Sequence, residues 1–156
     1  MSNVKRVFVV IVVMAFSLAI WGLFQRGDST EVDLVKSACG VVKSEDGSWG
    51  LKSLLEVFPD FRQDEIDGKS GDIYQDVLVY LGLQSSDASG AAQLNGKWRS
   101  LADATVEYVY NIQMLYLIAQ QGGINGEQYA EASRLSFNAL MRKGSECQAF
   151  INRLNS

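Results

Sequence analysis

The chain has 156 residues, with 14 basic and 18 acidic side chains, two Cys, one Pro and no His. The missing His excludes Ser-His-Asp or Cys-His catalysis and any His-ligated metal or haem built from this chain alone. Residues 27–156 hold 11 basic against 18 acidic side chains, a net of −7, which argues against a nucleic-acid surface because phosphate contacts need clustered Lys and Arg.

The first element is apolar. Val7 to Phe24 is hydrophobic at 16 of 18 positions, the exceptions being Ser17 and Gly22. A helix of that length spans about 27 Å, enough to cross a hydrocarbon core of about 30 Å. Lys5 and Arg6 precede the run, and only Arg26 comes after it before Asp28, Glu31 and Asp33. The positive-inside rule then makes residues 1–6 a cytoplasmic tail, 7–24 a transmembrane signal anchor and 27–156 an extracytoplasmic domain. Cleavage after Ala19 would leave Ile20, Trp21, Leu23 and Phe24 at a greasy new N-terminus. An uncleaved single-pass anchor in the cell membrane is therefore favoured over a secreted, processed chain. Without residues 1–26 the remaining 130 residues hold 56 apolar side chains, or 43 %, ordinary for a globular domain.

Helical periodicity dominates the chain after Arg26, and no strand alternation exceeds four residues. Thr30-Glu31-Val32-Asp33 has the form of a capping box and opens a short helix over about 31–43, with Val32, Val35, Cys39 and Val42 on one face. Ser44 to Ser48 reads as a turn. Leu51, Leu54, Leu55 and Phe58 mark a second short helix over about 50–58, stopped by Pro59. Asp60 to Asp72 reads as an acidic surface loop. A third short helix over about 71–83 carries Ile73, Val77 and Tyr80 on one stripe, and Ser85 to Gly90 reads as a mobile polar linker.

Leu94, Trp98, Leu101, Thr105, Tyr108, Ile112, Leu115 and Ala119 recur at spacings of four and three, the seam of a long helix over about 93–121. Gly122 and Gly123 break it. Asn125 offers an N-cap to a last helix over about 126–154. Two long helices joined this closely form an antiparallel hairpin. The expected fold class is all-α: a single membrane helix, then a helical bundle built on that hairpin and covered by the three short helices.

Cys39 and Cys147 are the only cysteines, each on a core-facing stripe, and an oxidising compartment makes them disulfide partners. Asp67-Gly68-Lys69-Ser70 ends like a phosphate-binding loop, but Gln63 stands where that loop needs Gly. A calcium loop around Gly68 would place Gln63 and Tyr74 at ligand positions, which neither suits. Asp103 and Glu107 form an i,i+4 pair that fits a solvent face. Arg134, Arg142, Lys143 and Arg153 complement the dipole of the last helix. No catalytic, cofactor or metal site is expected. The carboxylates of Asp60 to Asp76 are the only dense acidic source for a remote, carboxylate-based enzyme.

The Tyr-rich helices leave one candidate surface for a protein partner, for self-association or for a pocket: Trp98, Tyr108, Ile112, Leu115 and Tyr116. The expected function is non-enzymatic: a membrane-anchored interaction or scaffold protein of a bacterial-type cell envelope. The alternative is a module that binds a small apolar ligand or lipid inside the bundle. An enclosed pocket of several hundred cubic ångströms would favour the alternative, and a bundle packed solid would remove it.

Overall fold

In the computed structural model, which describes residues 30–59, 71–122 and 126–156, helix α1 (Glu31–Cys39) starts at its expected cap. The Asp33 amide donates to Thr30 Oγ1 at 3.2 Å, and the Thr30 hydroxyl donates to Asp33 Oδ2 at 2.6 Å. The helix ends four residues earlier than its spacing suggests. Gly40 turns left-handed at φ 64°, and its N–H caps the Lys36 and Ser37 carbonyls.

The β-branched residues beyond Gly40 then pair instead of coiling. Strand β1 (Val41–Lys43) runs antiparallel to β2 (Trp49–Leu51), with Val42 opposite Gly50. The turn between them is the expected one, closed by Ser44 and Ser48 and by an Asp46 carboxylate that accepts from the Ser48 amide. So the all-α expectation needs correction: the described fold is mostly helical with one small sheet. The helices expected over 31–43 and 50–58 each lose residues to it, because a three-residue strand is too short to show alternation.

What remains of the second helix is α2 (Leu54–Val57), one turn held by a capping box. Ser53 Oγ accepts from the Glu56 amide at 3.3 Å, and Glu56 Oε2 accepts from the Ser53 amide at 2.6 Å.

The largest departure is α3 (Gly71–Leu94), which runs straight through the stretch expected to be a mobile linker. Asp87 and Ala88 are completely buried there, and Gly90 and Ala91 are buried beside them. These small residues let α1 approach closely: a Cβ added at Gly90 would stand 3.4 Å from Leu34 Cδ1. The Ser37 hydroxyl donates to Asp87 Oδ2 across the same contact. Composition suggests a loop there; the packing makes it the helix–helix interface.

Asn95 ends α3 and caps a 3-10 turn (Gly96–Trp98) that leads into α4 (Arg99–Gln120). Glu31 fastens this junction to the start of α1. Its carboxylate accepts from Trp98 Nε1 at 2.5 Å and from Asn95 Nδ2 at 3.3 Å, and pairs with Lys97 at 2.7 Å. Those bonds, that to Lys97 foremost, hold the Glu31 carboxyl below its ordinary range.

Helix α5 (Glu127–Leu154) completes the antiparallel hairpin with α4, spanned by an ion pair between Arg142 and Glu107. The predicted seam holds from Trp98 to Ala119, every member of which is buried. Leu94 is the exception at 63 % exposure, since it closes α3 and takes no part in α4. On α5 the buried row is Ala132, Ser136, Ala139, Lys143, Cys147, Phe150 and Ile151, while Phe137 and Met141 lie exposed. Small side chains on α5 let the bulky seam of α4 pack close.

The core forms two clusters. Tyr74, Val77, Leu81, Tyr108, Ile112 and Leu115 anchor one. Leu34, Val35, Trp98, Leu101 and Phe150 anchor the other, with Trp98 and Phe150 edge to face at 5.5 Å. The apolar run 7–24, the acidic segment 60–70 and the expected cap at Asn125 lie outside the described residues. Among the described residues no helix is long and apolar enough to cross a membrane.

Candidate ligand cavity

Where the β1–β2 hairpin and α2 pass over α3, α4 and α5, the packing leaves an open-sided cavity of about 780 Å³. Leu51, Leu54, Leu55, Leu81 and Leu140 make up most of its apolar wall. Cys39 and Cys147 lie in that wall, joined as a disulfide with Cα atoms 5.5 Å apart. The bridge joins the end of α1 to α5 and so holds the roof of the cavity to its floor.

One buried polar chain crosses the cavity wall. Lys143 on α5 is only 8 % exposed, and its Nζ donates to Gln84 Oε1 of α3 at 2.5 Å. Gln84 Nε2 in turn donates to the Tyr80 hydroxyl at 3.1 Å. Because Lys can only donate, this order fixes the Gln84 amide orientation and leaves the Tyr80 O–H proton free to donate. Gly40 lies against this cluster. A Cβ there would stand 3.3 Å from Gln84 Nε2, from the Tyr80 hydroxyl and from the Lys52 carbonyl. Its left-handed φ favours glycine, and a Cβ would press these three neighbours by a few tenths of an ångström.

Burial sets the chemistry of the two deepest groups. Desolvation lowers the Lys143 amine from 10.5 to about 8 and raises the Tyr108 phenol to about 12. Burial also raises Tyr80, a rise opposed by its bond to Gln84. Lys52 lines the outer wall and is exposed. Among the described residues no carboxylate lines the cavity, although the protein as a whole is acidic. The surface cations Lys97, Arg134 and Arg142 all pair with carboxylates, whereas the buried Lys143 bonds a neutral amide. Such an amine can hold an anion or a carbonyl oxygen. Among the described residues there is no cluster of three His, Cys, Asp or Glu able to hold a metal ion.

The five residues singled out as a partner or pocket surface separate in space. Trp98, Ile112 and Leu115 are buried in the core away from the cavity lining, so they offer no face to a partner. Tyr116 is half-buried and stacks on Tyr74 at 5.2 Å. Tyr108 alone reaches the cavity. Sequence reasoning assigns Lys143 to solvent as a dipole complement and passes over Gln84. The signal was nonetheless available, because Lys143 lies four residues before Cys147 on the row that also holds Ser136 and Ala139. Once the disulfide defines the inner face of α5, Lys143 falls on it.

Compared with protein-family models, curated proteins and solved structures, the chain matches none. The fold and cavity define it only as a small disulfide-linked helical domain with a basic, largely apolar hollow.

Proposed function

We propose that this protein is a membrane-tethered, extracytoplasmic binding module that holds a small ligand with an apolar body in the cavity between the hairpin and helices α3 to α5. The tether is the 18-residue apolar run, Val7 to Phe24. The observation that carries the reading is the cavity itself. At about 780 Å³ it lies in the range of about 300–1,000 Å³ typical of small-molecule sites, with leucine walls and few convergent polar groups.

The test uses Gly144, which lines the cavity and where an added Cβ meets nothing within 4 Å. Gly144→Phe therefore adds bulk at the cavity wall from a Cβ that meets no neighbour. The wild-type protein is expected to bind the neutral fluorophore N-phenyl-1-naphthylamine saturably, and Gly144→Phe to lose that binding with unchanged melting temperature. Absence of saturable binding by the wild type, or equal binding by the filled variant, overturns the reading.

A scaffold role has one observation in its favour. Phe137 and Met141 are about 60 % exposed on one face of α5 beside Leu140. Replacing both by Ser should dissolve any self-association seen by sedimentation; a monomer at all concentrations leaves this role without support.

A further inference from the structure

Lys143 is more than nine-tenths buried, lines the cavity, and spends one of its three donors on Gln84. The other two have no partner among the described residues. A buried ammonium is costly unless it is paired, and among the described residues no lining side chain supplies the negative charge. The Gln84 amide sets the Tyr80 hydroxyl beside it, with that proton also free to donate. We infer that the cavity takes a single-headed amphiphile whose carboxylate accepts from Lys143 and Tyr80 while its alkyl body lies along Leu54, Leu55 and Leu140.

The inference rests on the binding-module reading and adds the ligand's chemical class. One buried cation matches one anion. A dianionic phosphate head would leave negative charge uncompensated in the same low-dielectric wall, because Lys52 is exposed and hydrated. A cationic head would face Lys143 with like charge. A plain alcohol would fill the leucine wall but could not neutralise the ammonium. Carboxylates also suit the site geometrically, since two acceptor oxygens can take one N–H and one O–H donor from neighbouring side chains.

The experiment measures binding of octanoate, octanol, octyl phosphate and octylammonium to the full chain held in amphipol, with empty amphipol as the blank. Octanoate is expected to bind about 10- to 100-fold more tightly than octanol, the usual range for a hydrogen bond to a charged group. In Lys143→Met, octanoate should fall to within about threefold of octanol, while octanol itself is little changed. N-phenyl-1-naphthylamine binding reports whether that variant keeps its cavity. If it does not, the wild-type comparison of octanoate with octanol and octylammonium still decides the matter. Equal binding of octanoate and octanol by the wild type, a preference that survives Lys143→Met, or tighter binding of octyl phosphate overturns the inference. Failure of the neutral fluorophore and of all four octyl probes overturns the binding-module reading as well.

Discussion

Lys143 makes the stability of this domain depend on pH in the direction opposite to that of a lysine held in an ion pair. In the unfolded chain its amine ionises near 10.5, and burial in the fold lowers that to about 8. At 1.36 kcal/mol per pH unit, that fall amounts to about 3 kcal/mol. Below pH 8 both states carry the proton, so the folded state bears the whole desolvation cost. Between pH 8 and 10.5 the unfolded state binds more protons, and stability rises with pH until the cost is relieved. Lys143→Met keeps an unbranched chain of similar length and removes the titration. The variant therefore gains on the wild type at neutral pH, by about 3 kcal/mol more than it does above pH 10.5. Losing the donor to Gln84 subtracts roughly 1–3 kcal/mol from the variant at every pH, so it cancels when the two pH values are compared. Tyr108, raised to about 12, ionises first in the unfolded state and lowers both proteins alike above pH 10. Urea unfolding of the ligand-free proteins across this range is the measurement. Parallel curves would refute the argument, because they would mean that Lys143 is as well solvated in the fold as in the open chain.

Two other expectations concern the frame of the cavity. The Cys39–Cys147 bridge spans 108 positions, so reducing it should cost up to about 4.7 kcal/mol by the chain-entropy argument. A urea midpoint unmoved by a phosphine reductant would show that the bridge adds nothing. Gly40→Ala combines a left-handed φ of 64° with three contacts at 3.3 Å. It should lower stability by about 1–2 kcal/mol and weaken fluorophore binding by shifting Gln84 and Tyr80. An unchanged melting temperature together with unchanged fluorophore affinity would show that neither the conformation nor the close approach matters.

Much of the helical frame is legible in the sequence because it rests on local rules. The Thr30 cap, the turn at Ser44 to Ser48, the stop at Gly122 and the buried seam from Trp98 to Ala119 each depend on neighbours within one or two turns. The expected start of α2 at about 50 is four residues early, although Ser53 and Glu56 carry the local capping signal that marks the true one. Composition misleads between Ser85 and Gly90, where small polar residues fit a linker and a tight helix contact equally well. Only Leu34, lying against Gly90 from 56 residues upstream, separates the two. The apolar residues of α5 mislead for the opposite reason. Phe137 and Met141 look like core, yet at their level of α5 the buried row holds the small side chains Ser136 and Ala139 instead.

The absence of His, the acidic balance and the concentration of apolar residues in one 18-residue run were determined by composition alone, and they bear on what chemistry the chain lacks and on the proposed tether. The pairing of Cys39 with Cys147 was readable too, because two cysteines on inward stripes have one partner each. The cavity was not readable. Its polar chain draws Tyr80 and Gln84 from α3 and Lys143 from α5, 59 positions beyond Gln84, and no periodicity couples residues so far apart. Charge misdirects as well, since a lysine on a helix belongs in water unless the tertiary packing closes over it. Burial is a property of what surrounds a residue, and for Lys143 those surroundings exist only once the hairpin and three helices have met.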